Sequence, residues 1–417
     1  MDIETLQAKA KDGDPAAQYQ LAAIAAQQGN AEQADGWLRA AASSGHPDAL
    51  FTLATRYLIS SSTVKDAVEL LEKAAESGGA AAMRMLSSLG AMGLYEPFSW
   101  KIAVRSIVVL AKKGDRPALR DLAGLCLLAP DGIATAVPLI NASHGADPIA
   151  AAVSARLAID GVSGLDIDQM KTSLGLLTKA GYPHGEALQG ATEVSDSSPV
   201  STEIDWDTIS SIATNALQLD LIEQETICEQ PNVTLAKGVF SAALCEYVVA
   251  KSAPLLMPST VVDPCDGQSK DDPYRSSLTA TIGPADHDLT MVAFNHRIAA
   301  LTGAPYNTGE FLSVLQYRRG DEYRPHFDWL GAGGDLDLHG QRIRTALIYL
   351  NDDYDGGETQ FMLPDLKVQG KQGDLLTFAN IDQEGAVDTT SRHAGLPIVR
   401  GEKWLASKWY RERPYRF

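Results

Sequence analysis

A chain of 417 residues exceeds one ordinary core and calls for two or three domains. Hydrophobic residues at 45% and charged residues at 21% exclude a disordered tail or a collagen-like repeat, and no apolar run reaches the roughly 18 to 20 residues that span a bilayer. With 35 basic against 53 acidic residues the net charge is −18, which repels a phosphate backbone and argues against nucleic acid or a membrane surface as partner. The start, Met1-Asp2-Ile3-Glu4, lacks the basic-then-apolar pattern of a secretory leader. Cys126, Cys228, Cys245 and Cys265 have no metal-ligand or Cys-x-x-Cys spacing, so a cytoplasmic protein with reduced core cysteines is expected.

Residues 1–190 are rich in Ala, Leu and Gly, and apolar positions recur at helical spacing, as at Leu21, Ala22, Ile24 and Ala25. A glycine followed by turn residues and Ala returns at Gly13, Gly45, Gly78, Gly114, Gly145 and Gly181, with spacings of 32, 33, 36, 31 and 36. That is close to the period of about 34 residues of helix-turn-helix arrays. Gly ends one helix in a left-handed conformation and Pro or Asp opens the next, so an all-α solenoid of stacked pairs is expected. The phrase Ala41-Ala42 to Tyr57, with Gly45-His46-Pro47-Asp48-Ala49 at its centre, resembles Sel-like tetratricopeptide repeats. The resemblance implies a concave face that holds peptides or proteins.

Residues 191–230 break the pattern; Ser195-Asp196-Ser197-Ser198-Pro199 reads as a linker, followed by a helix near Asp207 to Leu221. From residue 231 to 417 β-branched and aromatic residues rise. Short runs such as Phe311 to Tyr317 and Leu375 to Phe378, with a turn at Asp355-Gly356-Gly357, predict a double-stranded β-helix or jelly roll with flanking helices, one of them near Ser241 to Ala250.

In that region His326-Phe327-Asp328 places an imidazole and a carboxylate on one face of a strand. About one His-x-acid triplet is expected by chance at this composition, and His46-Pro47-Asp48 and His184-Gly185-Glu186 are two more, both read as surface turns. His326 and Asp328 gain weight from His393, far enough along the chain for strands to return it across a barrel. Two nitrogens and one carboxylate with open positions are the ligand set of non-haem Fe(II) oxygenases, whereas a hydrolytic zinc needs a single open position. His339 competes as third ligand, but its glycine-rich surroundings read as a flexible loop. A 2-oxo acid needs a cationic anchor, for which Lys403 stands ten positions after His393, and Tyr349 offers a hydroxyl to the same carboxylate.

The segments Glu310 to Tyr317, Tyr323-Arg324-Pro325-His326-Phe327-Asp328, Arg344 to Asp352, Gly356 to Phe361, Lys371 to Phe378 and Arg392 to Trp409 resemble the catalytic domain of prolyl 4-hydroxylases, and the likeness covers about residues 233–417. The resemblance implies that His326, Asp328 and His393 are iron ligands and that Lys403 anchors the distal carboxylate of 2-oxoglutarate. It further implies that Tyr349 and Thr359 assist Lys403, that Tyr317 lies near the metal end of the co-substrate, and that Trp409 and Arg275 meet the substrate. The cofactors it implies are Fe(II), 2-oxoglutarate and dioxygen, with ascorbate as an auxiliary reductant, and the partner is a proline-containing protein or peptide held partly by the repeats. Leu396 stands where a Cys is frequent in the family, which loosens any link to a collagen-like substrate. The alternatives are a dioxygenase acting on another side chain or a small molecule, and a non-catalytic repeat adaptor. The seven basic residues between Ser391 and Phe417 read mostly as a solvated face.

Overall fold

The computed structural model describes residues 2–58, 61–96, 99–145, 147–179, 188, 190, 193–195, 198–218, 222–262, 269–271, 276–331 and 334–415. The glycine turn from Gly181, with His184, and the residues Cys265 and Arg275 lie outside this set. Two compact units form, one from the chain up to Ala118 with Gly283–Val292, the other from Leu119–Ile282 with Ala293–Tyr415.

The first unit stacks α1 (Ile3–Lys11), α2 (Pro15–Gln27), α3 (Ala31–Ser43), α4 (Pro47–Tyr57), α5 (Val64–Glu76), α6 (Ala80–Ala91) and α7 (Trp100–Lys112), each packed on its neighbour in sequence. The turn chemistry explains the repeat. Gly13 has φ 91°, and its amide and that of Asp14 close the end of α1 by bonding the carbonyls of Ala10 and Lys9. Asp14 then accepts from the Ala17 amide at 2.8 Å while Pro15 opens α2. Gly45, Gly78, Gly114 and Gly145 also have positive φ. Fully buried alanines such as Ala41, Ala49 and Ala67 let the helices approach, and Leu38, Leu50, Leu71 and Leu89 fill the space between them. His46, expected at the surface, is half-buried and stacks on Tyr19, because the tight turn presses it against the preceding pair.

The second unit begins within α8 (Arg116–Leu127) and continues through α9 (Ile133–Ser143), α10 (Pro148–Ile159), α11 (Ile167–Lys179) and α12 (Trp206–Asn215), the last capped by Asp205. Composition draws a boundary across residues 191–230, whereas packing joins these helices to the sheet-forming part of the chain: α10 lies against α13 (Ala242–Ser252) and is buried on nearly every side.

The remaining elements are β1 (Gln224–Cys228), β2 (Val233–Ala236), β3 (Met257–Pro258), β4 (Thr260–Val262), β5 (Ser269–Asp271), β6 (Leu278–Ile282), α14 (Leu289–Thr302), β7 (Leu312–Tyr317), β8 (Tyr323–His326) and α15 (Gly334–His339). After them come β9 (Arg342–Tyr349), β10 (Asp355–Gly356), β11 (Thr359–Phe361), β12 (Leu366–Val368), β13 (Leu375–Ala379), β14 (His393–Gly395), β15 (Ile398–Arg400) and β16 (Lys403–Arg411). A large antiparallel sheet runs β1-β2-β13-β9-β16-β7-β6-β3 and a smaller one runs β12-β11-β14-β8. Leu315, Leu347, Leu376, Phe378 and Leu405 of the first and Phe361 and Val368 of the second share one core, which makes this the jelly roll expected of residues 231–417. On the outer face Cys245 of α13 sits behind the Tyr349 carbonyl. His339 is not in a flexible loop: it ends α15, is buried, and its Nδ1 lies 3.1 Å from the Pro414 carbonyl.

Candidate active site

The smaller sheet brings the triad together. His326 ends β8 and His393 opens β14, and the two are direct cross-strand partners with ring centroids 4.3 Å apart. Asp328 follows two residues after His326, with Oδ1 3.6 Å from His326 Nε2 and Oδ2 3.8 Å from His393 Nε2. Each of the three offers a donor atom within 4.8 Å of the others. His326 Nδ1 lies 2.8 Å from the Arg324 carbonyl and His393 Nδ1 lies 3.0 Å from the Ser391 carbonyl. A carbonyl accepts only, so both Nδ1 atoms carry the proton and both Nε2 lone pairs face the cluster.

Burial, helped by the nearby His326, pushes His393 down to about 4, so its ring is neutral near pH 7. Burial opposes the charge of Asp328, but the two imidazoles and the Thr345 hydroxyl outweigh it and hold the carboxyl well below its ordinary range. Thr345 donates to Asp328 Oδ2 at 2.6 Å and receives Asn380 Nδ2 at 2.9 Å. Two imidazole nitrogens with fixed tautomers and a supported, ionised carboxylate fit a divalent iron.

The pocket in front of the triad encloses roughly 530 Å³ of space, solvent at its mouth included, and is lined by His326, Asp328, His393, Tyr317, Thr359, Lys403, Ser407 and Trp409 among apolar neighbours. Lys403 pairs with Tyr317 across β16 and β7 and is buried. Its Nζ donates to the Gly357 carbonyl at 2.6 Å and sits 5.5 to 5.9 Å from the rings of Tyr349, Tyr317 and Tyr354. Burial pushes it down to about 8, against the pull of Glu358. One N–H is used by Gly357, so two remain for an anion. Tyr349 stands one layer back: it does not line the pocket, its hydroxyl is 3.5 Å from the Val368 carbonyl, and Thr359 is its link to the cavity.

Trp409 closes another side of the pocket. The Arg342 guanidinium lies 4.2 Å over its ring and is gripped by both carboxylate oxygens of Glu310, at 2.6 and 2.7 Å. Arg411, fully buried, adds a bond to Glu310 at 3.1 Å, and Arg342 Nη1 comes 3.5 Å from the Asp328 carbonyl. The structure thus gathers His326, Asp328, His393, Lys403, Tyr317, Thr359 and Trp409 around one cavity, with Tyr349 behind and Arg275 outside the described residues. Sequence reasoning alone does not find Tyr323, stacked 3.5 Å from the His326 ring, or the supporting Thr345, Asn380, Arg342 and Glu310. Tyr323 lies inside the family-like segment that carries His326, and Thr345 inside the one that carries Tyr349, but nothing in residue type marks them.

Residues 312–411 match the 2OG-Fe(II) oxygenase superfamily. The chain is 34% identical over 205 residues to prolyl 4-hydroxylase 5 of Arabidopsis thaliana, a match that covers 45% of this chain and 70% of that protein. The chain belongs to the prolyl 4-hydroxylase family. It is also 32% identical to the probable prolyl 4-hydroxylase 3 of the same plant, over 46% of this chain and 73% of the relative. Among solved structures, the viral collagen prolyl hydroxylase of Paramecium bursaria Chlorella virus-1 aligns over 44% of this chain and 98% of its own with 22% identity and a TM-score of 0.35. As a member of this family the chain is an Fe(II)- and 2-oxoglutarate-dependent oxygenase, and the adaptor alternative falls with the triad intact.

Proposed function

We propose that the protein hydroxylates carbon 4 of proline in a protein or peptide, with His326, Asp328 and His393 holding the iron and Lys403 the far carboxylate of 2-oxoglutarate. The observation that supports this reading is the single pocket lined by the triad, by Lys403 and by Trp409. When bound, Fe(II) couples the oxidative decarboxylation of 2-oxoglutarate to hydroxylation of an unactivated carbon. The two free N–H groups of Lys403 bind and orient the co-substrate, with the Gly357 carbonyl fixing the ammonium. Leu315, Leu347, Ile398 and Leu405 wall the cavity with hydrocarbon and exclude water from the reacting groups. Trp409 offers a flat apolar surface suited to a pyrrolidine ring.

In this reading the helical repeats hold part of the substrate, ascorbate serves as auxiliary reductant, and the setting is cytoplasmic. The free thiols of Cys126, Cys228 and Cys245 fit a reducing compartment. Purified protein incubated with iron, 2-oxoglutarate and proline-containing peptides is expected to release succinate and add one oxygen to proline, read by mass spectrometry. His326→Ala and Lys403→Ala should lose both. Persistent succinate release with no proline modified in any peptide pool would move the reading to another side chain or a small molecule.

A further inference from the structure

Strand β16 sends Lys403, Leu405, Ser407 and Trp409 into the pocket, so the residues between them, Lys408 included, face the other way. Lys408 is nonetheless buried, at 5% exposure. Its Nζ donates to the Glu310 carbonyl at 2.8 Å, while the Glu310 amide donates to the Trp409 carbonyl at 2.8 Å. Two successive residues of β16 therefore clamp both ends of one residue. The path of the lysine is a narrow slot: a Cβ on Gly309 would lie 2.6 Å from Lys408 Cε. Glu310 is the residue whose carboxylate grips Arg342, which covers Trp409 and approaches the Asp328 carbonyl.

We propose that Lys408 is a positioning residue for substrate: by anchoring Glu310 it sets Arg342 over Trp409, and so controls peptide affinity without touching the co-substrate or the metal ligands. The inference rests on the reading of Trp409 as the substrate wall.

The surroundings give the clamp a pH signature. His296 of α14 is close enough to feel the charge of Lys408, and Tyr306 stacks on His296 at 3.7 Å. Burial, then Lys408, pushes His296 down to about 4, and burial pushes Tyr306 and the neighbouring Tyr410 up. These three stay neutral near pH 7, and Arg342 stays charged, since burial opposes its charge but Glu310 outweighs burial. Burial pushes Lys408 down to about 7, against the attraction of Glu310. Below that value the ammonium binds Glu310 at full strength; above it the neutral amine binds weakly.

The test measures peptide KM and kcat at saturating 2-oxoglutarate, and 2-oxoglutarate KM at saturating peptide, across the neutral range, with a blocked peptide free of titratable groups, in wild type and in Lys408→Met. Wild-type peptide KM should rise about five- to tenfold as pH climbs through the lysine's value, the scale of the difference between a charge-assisted and a neutral hydrogen bond, with kcat held within about twofold. The variant should start at the raised KM and show no such rise, with unchanged 2-oxoglutarate turnover in the absence of peptide. The protection factor of the Glu310 amide, its exchange rate taken relative to the intrinsic base-catalysed rate at each pH, should be lower in the variant and at high pH. A flat wild-type KM, or a Glu310 protection factor that ignores both the variant and pH, overturns the proposal. Should Lys408→Met fail to fold, the wild-type profile decides. Should no proline peptide be hydroxylated, the proposed function fails and the exchange measurement alone decides the role of Lys408.

Discussion

Thr345 gives its hydroxyl hydrogen to Oδ2 of Asp328 at 2.6 Å, which leaves Oδ1 as the oxygen that faces His326 Nε2 at 3.6 Å. The carboxylate is thus divided, one oxygen tied to the large sheet and the other available to a cation.

Thr345→Val keeps the shape and removes the hydroxyl, stranding Asp328 Oδ2 and Asn380 Nδ2. Fe(II) or Mn(II) binding is expected to weaken by about 10- to 100-fold. Anaerobic calorimetric titration reads this directly, and an affinity equal to wild type would show that the hydroxyl does not support the ligand.

Lys403 sits at about 8 in the folded protein against its ordinary 10.5, because burial disfavours the ammonium. Between those two values the unfolded chain holds more protons than the native one, so the lysine makes the ligand-free protein more stable as pH rises through that window. Affinity for 2-oxoglutarate moves the other way, since its carboxylate needs the ammonium, and apparent KM should increase as pH passes about 8. Denaturant midpoints and KM measured over the same pH series check the two signs together. Lys403→Met should flatten both.

Glu310→Gln leaves Arg342 and Arg411 buried beside a neutral amide. The expected loss of stability is about 3–5 kcal/mol, the usual result of removing one partner from a buried ion pair. Urea unfolding measures it. Adding Arg342→Met should cost less than it does alone, because the pair is already broken.

Two glycines separate conformational strain from steric overlap. Gly45 has φ 81° and open space where a Cβ would go, so Gly45→Ala should cost about 1–2 kcal/mol. Gly373 has φ 87° and its Cβ would lie 2.0 Å from the Phe240 carbonyl oxygen, in the turn that bonds Tyr349 to the start of β13. Gly373→Ala should therefore misfold or lose several times as much, and thermal melts of the two variants compare them.

The candidate metal triad is legible in the sequence because coordination demands particular residue types: His326 and Asp328 stand two apart, although β8 ends at His326 and Asp328 follows the strand rather than lying in it, and family likeness picks His393 over His339 as the third member. The turns of the solenoid are legible for a similar reason, since Gly13 and Asp14 each do a job few residues do. Lys403 emerges mainly through family likeness. The basic residues after Ser391 read as mostly solvated, yet Lys403, Lys408 and Arg411 are buried. A lysine on the outer side of a strand looks solvated until the slot at Gly309 and the Glu310 carbonyl are seen around it. Thr345 and Asn380 are polar residues of a kind found on any sheet, and only the fold aims them at Asp328. The joining of α10 to α13 is equally hidden, because an alanine face reads the same whether a repeat or a foreign helix covers it.

The inward and outward alternation along β16 constrains the spacing of its residues. One inserted residue anywhere between Lys403 and Trp409 would flip everything beyond it to the opposite side and exchange a substrate wall for a structural anchor. Its length is therefore as constrained as the side chains it carries.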